Sequence, residues 1–187
     1  MKLTAKLLTI ILAMSVAVGC SVGKKKDSKK ENENIVDVVT NSEEKAVRET
    51  VTKYILATLA GDYKDAINYV WESGEQYKMV KVVADTLDIK ALFGEGRKRA
   101  LEVVSDKTEV YFSDFEQNGD TAKITLKTKQ PSIASPDLSD DNLANMSNDE
   151  IINKIEEIGE IVSTKEVYNL QEVDGKWLIS MCEGFKE

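Results

Sequence analysis

Helices first, then two hairpins with one more helix between them, predict an α+β domain. N-terminal helices should pack on a curved four-stranded antiparallel sheet, with a helical insertion between the two hairpins. Three observations carry this. Apolar residues recur at spacings of three and four from Val47 to Leu59 and again from Tyr63 to Trp71. "TEVYFSDF" and "TAKITLKTK" flank Asn118-Gly119. "KEVYNLQEV" and "KWLISM" flank Asp174-Gly175. Asn-Gly and Asp-Gly between β-rich runs are the strongest short-range hairpin signals.

The first helix should start near Asn41. Thr40 with Glu43, or Asn41 with Glu44, offers a capping box. Val47, Val51, Tyr54, Ile55 and Leu59 then line one helical face. Gly61 suits the position after that helix, and Asp62 suits the cap of the next. Tyr63, Ala66, Ile67, Val70 and Trp71 form a second face, which "SGE" at Ser73–Glu75 ends. Residues 76–104 read as helical, with an interruption at Phe93–Gly96. In the first hairpin Ala122, Ile124 and Leu126 alternate with Lys123, Thr125 and Lys127, so one face is buried and the other wet. In the second, Tyr168, Leu170, Trp177 and Ile179 share a face. Between the hairpins, Ser147 and Glu150 make a capping box ahead of the stripe Ile151, Ile152, Ile155 and Ile158. That stripe reads as core packing, or as a partner-binding face. Gly159 should weaken the last turn by about 1 kcal/mol.

Charge and composition narrow the chemistry. The 187 residues carry a net charge of −8 and contain no histidine. Histidine is the usual general base near neutral pH and the commonest metal ligand, so serine–histidine and cysteine–histidine catalysis are excluded. Residues 41–187 hold 18 basic and 29 acidic side chains, a net of −11. Phosphate backbones need a positive surface, so nucleic acid is not an expected partner. Asp137, Ser139 and Asp141 alternate like the start of a calcium loop. Asn142 and Asn148 stand where that loop needs glycine and glutamate, so no metal is expected. "GEGRKRA" at 94–100 lacks the spacing of a phosphate loop and reads as a solvated helix start. No cofactor is implied.

The N-terminus supplies an address. Lys2 and Lys6 precede an uncharged run, Leu7–Gly19. A membrane-spanning helix needs about 20 residues, so this run is too short to span, but it suits the apolar region of a secretory signal. "AVGC" at Ala17–Cys20 resembles the lipobox of bacterial lipoproteins, with alanine where leucine is commonest. The resemblance implies that Cys20 receives a diacylglycerol and becomes the first mature residue. Residues 1–19 are then the signal peptide, and 20–40 a lipidated cysteine with a flexible tether. The expected place is the extracytoplasmic face of a membrane, with lipid as one partner. The tether holds Lys24, Lys25, Lys26, Lys29 and Lys30, which can touch anionic headgroups or serve as a solvated spacer. With Cys20 acylated, Cys182 has no disulfide partner and reads as a small buried apolar residue.

Residues 45–185 resemble NTF2-like (nuclear transport factor 2-like) domains, particularly those of lipoproteins from low-GC Gram-positive bacteria. "VTKYILATLAGDYKDAINYV", "NGDTAKITL" and "VDGKWLIS" carry the resemblance, and "PDLSDDNL" also looks like such lipoproteins. A cystatin-like sheet around one helix would leave the second helix unexplained. The resemblance implies a cone whose mouth, in some members, performs isomerase or dehydratase chemistry with Asp, Tyr or His. It points to Tyr54, Tyr111, Asp114 and Tyr168 as polar residues approaching the interior, with Trp177 as a filling residue. The expectation is a non-enzymatic domain that binds a small ligand or an envelope protein. An enzyme using a Tyr/Asp pocket is the alternative.

Overall fold

Asn41 opens the first helix. Its side chain accepts the Glu43 backbone N–H at 3.0 Å, ahead of α1 (Ser42–Leu59). Glu44 does not close a capping box; it accepts from Arg48 at 2.7 Å. The computed structural model describes residues 41–184. The signal segment, Cys20, the tether and the last three residues lie outside them.

α1 buries Val47, Val51, Tyr54 and Ile55, the expected stripe, against β1, β2 and β4 of the sheet. Gly61 takes φ +76 after the helix, and Asp62 caps α2 (Tyr63–Ala66) by accepting from Asp65 N. The second amphipathic helix is shorter than its pattern predicts. It tightens into a 3-10 turn over Ile67–Tyr69, and Val70 is extended. Val70 forms a parallel bridge to Ile179, and Trp71 N donates to Ile179 O at 2.8 Å. A free carbonyl on the edge of β4 thus outcompetes another helical turn, and Val70 and Trp71 have the β-preference to accept it.

α3 (Glu75–Thr86) packs on β4. Gly74 before it permits close contact, since a Cβ there would lie 2.6 Å from Ser180 O. α4 (Ile89–Asp106) breaks at Gly94, φ +84, inside the expected "FGEG" interruption. The sheet is an antiparallel meander in the order β1 (Glu109–Asn118), β2 (Thr121–Pro131), β3 (Ile161–Val173), β4 (Lys176–Gly184). Asp174 and Gly175 have φ +52 and +76, the two positive values a tight hairpin turn needs. The first turn lies one residue later than expected, because Asn118 already pairs with Thr121 and leaves Gly119–Asp120 at the bend.

Each edge strand carries one extra residue. The register slips in β1 between Ser113 and Glu116, and in β4 beside Leu170, where Ser180 is unpaired. Such bulges bend a strand and increase its twist. The main core lies between α1, α3 and the inner face of the sheet: Val47, Val51, Val80, Ile124, Leu126, Leu170 and Ile179. On the outer face Thr125 is buried, against the simple alternation. It sits mid-sheet between Ser113 and Val167, which is also buried.

The insertion builds a second core on α4. It comprises a 3-10 turn, Pro136–Leu138, then α5 (Asp140–Asn145) and α6 (Asn148–Ile158). Leu138, Leu143, Ile151 and Ile155 cluster with Ala100, and Ile158 packs against them, so three of the four isoleucines of the stripe are core packing; Ile152 does not join the cluster. At about 1.5–3 kcal/mol per buried side chain, this docking is substantial. The Ser147–Glu150 capping box is present. Gly159 is not a weak last turn; at φ +62 it is the left-handed cap that ends α6.

"GEGRKRA" is not a solvated helix start either. A Cβ on Gly96 would lie 2.2 Å from Leu143 O, so the backbones of α4 and α5 touch there. Arg97 Nε donates to Asp140 Oδ1 at 2.6 Å and its Nη2 to Leu138 O at 3.1 Å. Arg99 reaches Asn148 Oδ1 and Leu143 O. The glycine and both arginines clamp the insertion.

Candidate functional site

Four polar side chains meet between α1, α3 and the inner face of the sheet. Tyr54 projects from α1 and Tyr168 from β3, and their rings pack edge-to-face with centroids 6.1 Å apart. Gln76 of α3 donates from Nε2 to the Tyr54 hydroxyl at 2.9 Å. The Tyr168 hydroxyl donates to Glu166 Oε2 at 2.5 Å. Glu166 lies two residues before Tyr168 on the same face, as strand periodicity requires. Cys182 stands opposite Tyr168 in the β3–β4 register.

Burial sets the electrostatics. Tyr168 is 1% exposed and Tyr54 6%. Burial raises both phenol pKa values, and the Glu166 carboxylate raises Tyr168 further. Burial, with Glu166 beside it, also pushes the Cys182 thiol up to about 12. All three groups are protonated near neutral pH. They donate hydrogen bonds but supply neither a thiolate nor a phenolate nucleophile.

The other sequence-predicted residues do not join them. Trp177 is buried in the same core, where its Nε1 donates to Glu43 Oε2 at 2.8 Å and its carbonyl accepts from Thr50. It ties α1 to β4. Tyr111 does not approach the interior. It lies on the outer face, 43% exposed, with its hydroxyl on Glu109. Asp114 does not either. Its φ of +53 marks the extra residue of the β1 bulge, and it is exposed, accepting from Ser113 Oγ. The bulge resets the strand's phase, so Phe112 and Phe115, three apart, both pack inward.

Gln76 and Glu166 were missed from the sequence. Glu166 was findable from its parity with Tyr168; Gln76 was not, because an amide on a helix face gives no local sign of its partner. Among the described residues, no group of three or more His, Cys, Asp or Glu side chains is placed to hold a metal ion. No helix among them is long and apolar enough to cross a membrane.

Two surface clefts open away from the tyrosines. One, of about 440 Å³, lies by the hairpin turns, lined by Trp71, Gln117, Asn169, Leu170, Gln171 and Ser180. The other, of about 360 Å³, lies between the end of α6 and the start of β3, beside Lys107, Pro131, Ile155 and Ile161.

These helices on one face of an open four-stranded antiparallel sheet define an α+β protein. Among solved structures, the chain is similar to an NTF-2 like protein of unknown function from Shewanella oneidensis. Identity is 8% and TM-score 0.46, covering 75% of this chain and 96% of that one. It is also similar to a ketosteroid isomerase-like protein from Erwinia carotovora atroseptica, at 12% identity and TM-score 0.42, covering 76% and 94%. A third is a protein of unknown function from Mycobacterium tuberculosis, at 11% identity and TM-score 0.40, covering 78% and 72%. No family model matches the chain, and no curated protein matches it in sequence.

Proposed function

We propose that this chain is a lipid-anchored protein that displays an NTF2-like domain at the extracytoplasmic face of a membrane as a non-enzymatic binding module. The anchor rests on the uncharged run Leu7–Gly19 and the "AVGC" that follows it. One observation supports binding over catalysis. The interior is filled by Tyr54, Tyr168 and Trp177, and burial keeps its hydroxyls and thiol protonated. Clefts of about 440 and 360 Å³ open at the surface instead. Trp71 beside the amides Gln117, Asn169 and Gln171 suits a small polar ligand or a loop of an envelope protein.

Two experiments test this. Cys20→Ala should abolish fatty-acid labelling and leave the protein unprocessed or released; undiminished labelling refutes the anchor. Affinity capture from membranes with the intact anchored protein should retain a species that Trp71→Ala loses. Equal retention by both refutes the cleft.

The Tyr168–Glu166 hydrogen bond favours a second reading, a lipid-anchored isomerase- or dehydratase-like enzyme. Tyr168 would donate and Glu166 would act as base, in place of the Tyr/Asp pocket expected from the resemblance. A substrate could enter only if the interior opens well below the free energy of global unfolding. Amide exchange at Tyr168 and Glu166 measures that opening. Protection equal to the global stability refutes the enzyme.

A further inference from the structure

The outer face of the sheet carries a row of charge that neither core explains. Tyr111 of β1, Lys127 of β2 and Lys165 of β3 are direct cross-strand neighbours. With strands about 4.8 Å apart, the row spans about 10 Å. Lys129 lies one pair further along, with its Nζ 5.2 Å from the centre of the Tyr111 ring. Beyond it, Ile161 pairs with Pro131 and is 58% exposed. Tyr111 and Ile161 are two of five exposed large apolar side chains among the described residues, and they flank the lysines. The acidic side chains of this face lie on the edge strands β1 and β4: Glu109 opposite Lys129, Glu116 opposite Lys123, Asp114 at the bulge, and Glu183. The face is therefore basic at its centre and acidic at its rim, in a domain of net charge −11.

We infer that this face docks on a bilayer rich in anionic headgroups, with Lys127, Lys129 and Lys165 over the phosphates and Tyr111 and Ile161 at the interface. Lysines interleaved with exposed apolar and aromatic side chains form the signature of an interfacial surface. The domain as a whole carries net negative charge, which disfavours an approach in random orientation to an anionic surface. A second copy docked about a two-fold axis through the row would set lysine against lysine.

The tether adds proximity. Were residues 20–40 the tether proposed from the sequence, a chain of about 20 residues would have a root-mean-square span of roughly 25 Å and keep the domain within reach of the headgroups. That step rests on the proposed acylation of Cys20; the surface itself does not, and the assay separates them. Residues 20–187 made without acylation should sediment with phosphatidylglycerol vesicles and not with phosphatidylcholine vesicles. Lys127→Gln/Lys165→Gln should weaken binding about thirty-fold, roughly five-fold per lysine. Ile161→Ser should weaken it several-fold at high salt, where a purely ionic contact would already be screened. Both lysines are exposed, so the circular dichroism spectrum of the double variant should match that of the parent, which separates lost binding from lost folding. The effect should persist when the five tether lysines, 24, 25, 26, 29 and 30, are changed to glutamine. Unchanged binding by the double variant overturns the inference, as does equal binding to neutral vesicles. Displacement by inorganic phosphate beyond that by chloride at matched ionic strength would mean a discrete phosphate site instead. A dimer that the double variant dissolves would mean a protein interface.

Discussion

Gly96→Ala should destabilise this protein, although glycine-to-alanine inside a helix ordinarily stabilises by about 1 kcal/mol. The new Cβ would sit 2.2 Å from Leu143 O, 2.3 Å from Leu143 C and 2.8 Å from Ala144 N. These are backbone atoms and cannot rotate aside, so α5 must move off α4. Overpacking of this kind costs about 1–3 kcal/mol. The displaced segment also pulls on Leu138 and Leu143, both fully buried, and on the Arg97–Asp140 pair. With about 1 kcal/mol more for those loosened contacts, a loss of about 2–4 kcal/mol set against about 1 kcal/mol of helix propensity leaves a net destabilisation of roughly 1–3 kcal/mol. At about 3–4 °C per kcal/mol for a domain of this size, the midpoint should fall by roughly 3–12 °C. Thermal unfolding followed by far-ultraviolet circular dichroism reads it. Ala91→Gly, exposed on the same helix, should lose only about 1 kcal/mol. A Gly96→Ala chain that melts at or above the parent refutes the close approach and the docking of the insertion through it.

Asp114→Gly should leave stability unchanged or raised, whereas Asp114→Ala should lose about 1 kcal/mol, because only the alanine is strained at φ +53; equal losses in urea melts would sink the bulge assignment. Cys182 should resist alkylation at pH 8 in the folded chain and react once unfolded, since its thiol is pushed up to about 12. Its folded pKa is raised, so its contribution to stability is fully present below the unfolded value near 9 and is lost progressively above it; Cys182→Ala should flatten the fall in stability from pH 9 to 11. Trp177→Phe should cost about 1.5–3 kcal/mol by leaving the Glu43 carboxylate without its indole donor; a loss below 0.5 kcal/mol would refute the tie between α1 and β4.

What the sequence revealed was local. The stripe of α1, the Asp174-Gly175 turn and the Ser147–Glu150 box each depend on residues within one or two turns of chain, and each appears as expected. The helix after Asp62 was misjudged because its end is decided by Ile179, more than a hundred residues away. The same holds for Gly96, Arg97 and Arg99, whose partners lie 41–49 positions on or are backbone atoms with no sequence signature. Of the interior residues, Tyr54, Tyr168 and Trp177 follow from helical and strand spacing. Asp114 is turned out of that interior by the bulge, which has no signature in the sequence, and Tyr111 lies outside it because it alternates with the inward Phe112 and pairs with Lys127.

That bulge links the sheet to the functional reading. In a regular strand with Phe112 inward, Asp114 would also point inward and Phe115 outward. An extra residue at Asp114, held in the left-handed region where aspartate is tolerated, turns the carboxylate to solvent and brings Phe115 in. The interior thereby gains a second phenylalanine in place of an acid. Beside that pair stand Tyr54 and Tyr168, their hydroxyls already engaged by Gln76 and Glu166. The carboxylate expected to approach the interior is thus the one that the bulge turns to solvent. The two surfaces on which the proposals rest, the Trp71 cleft and the lysine row, face outward from this filled interior.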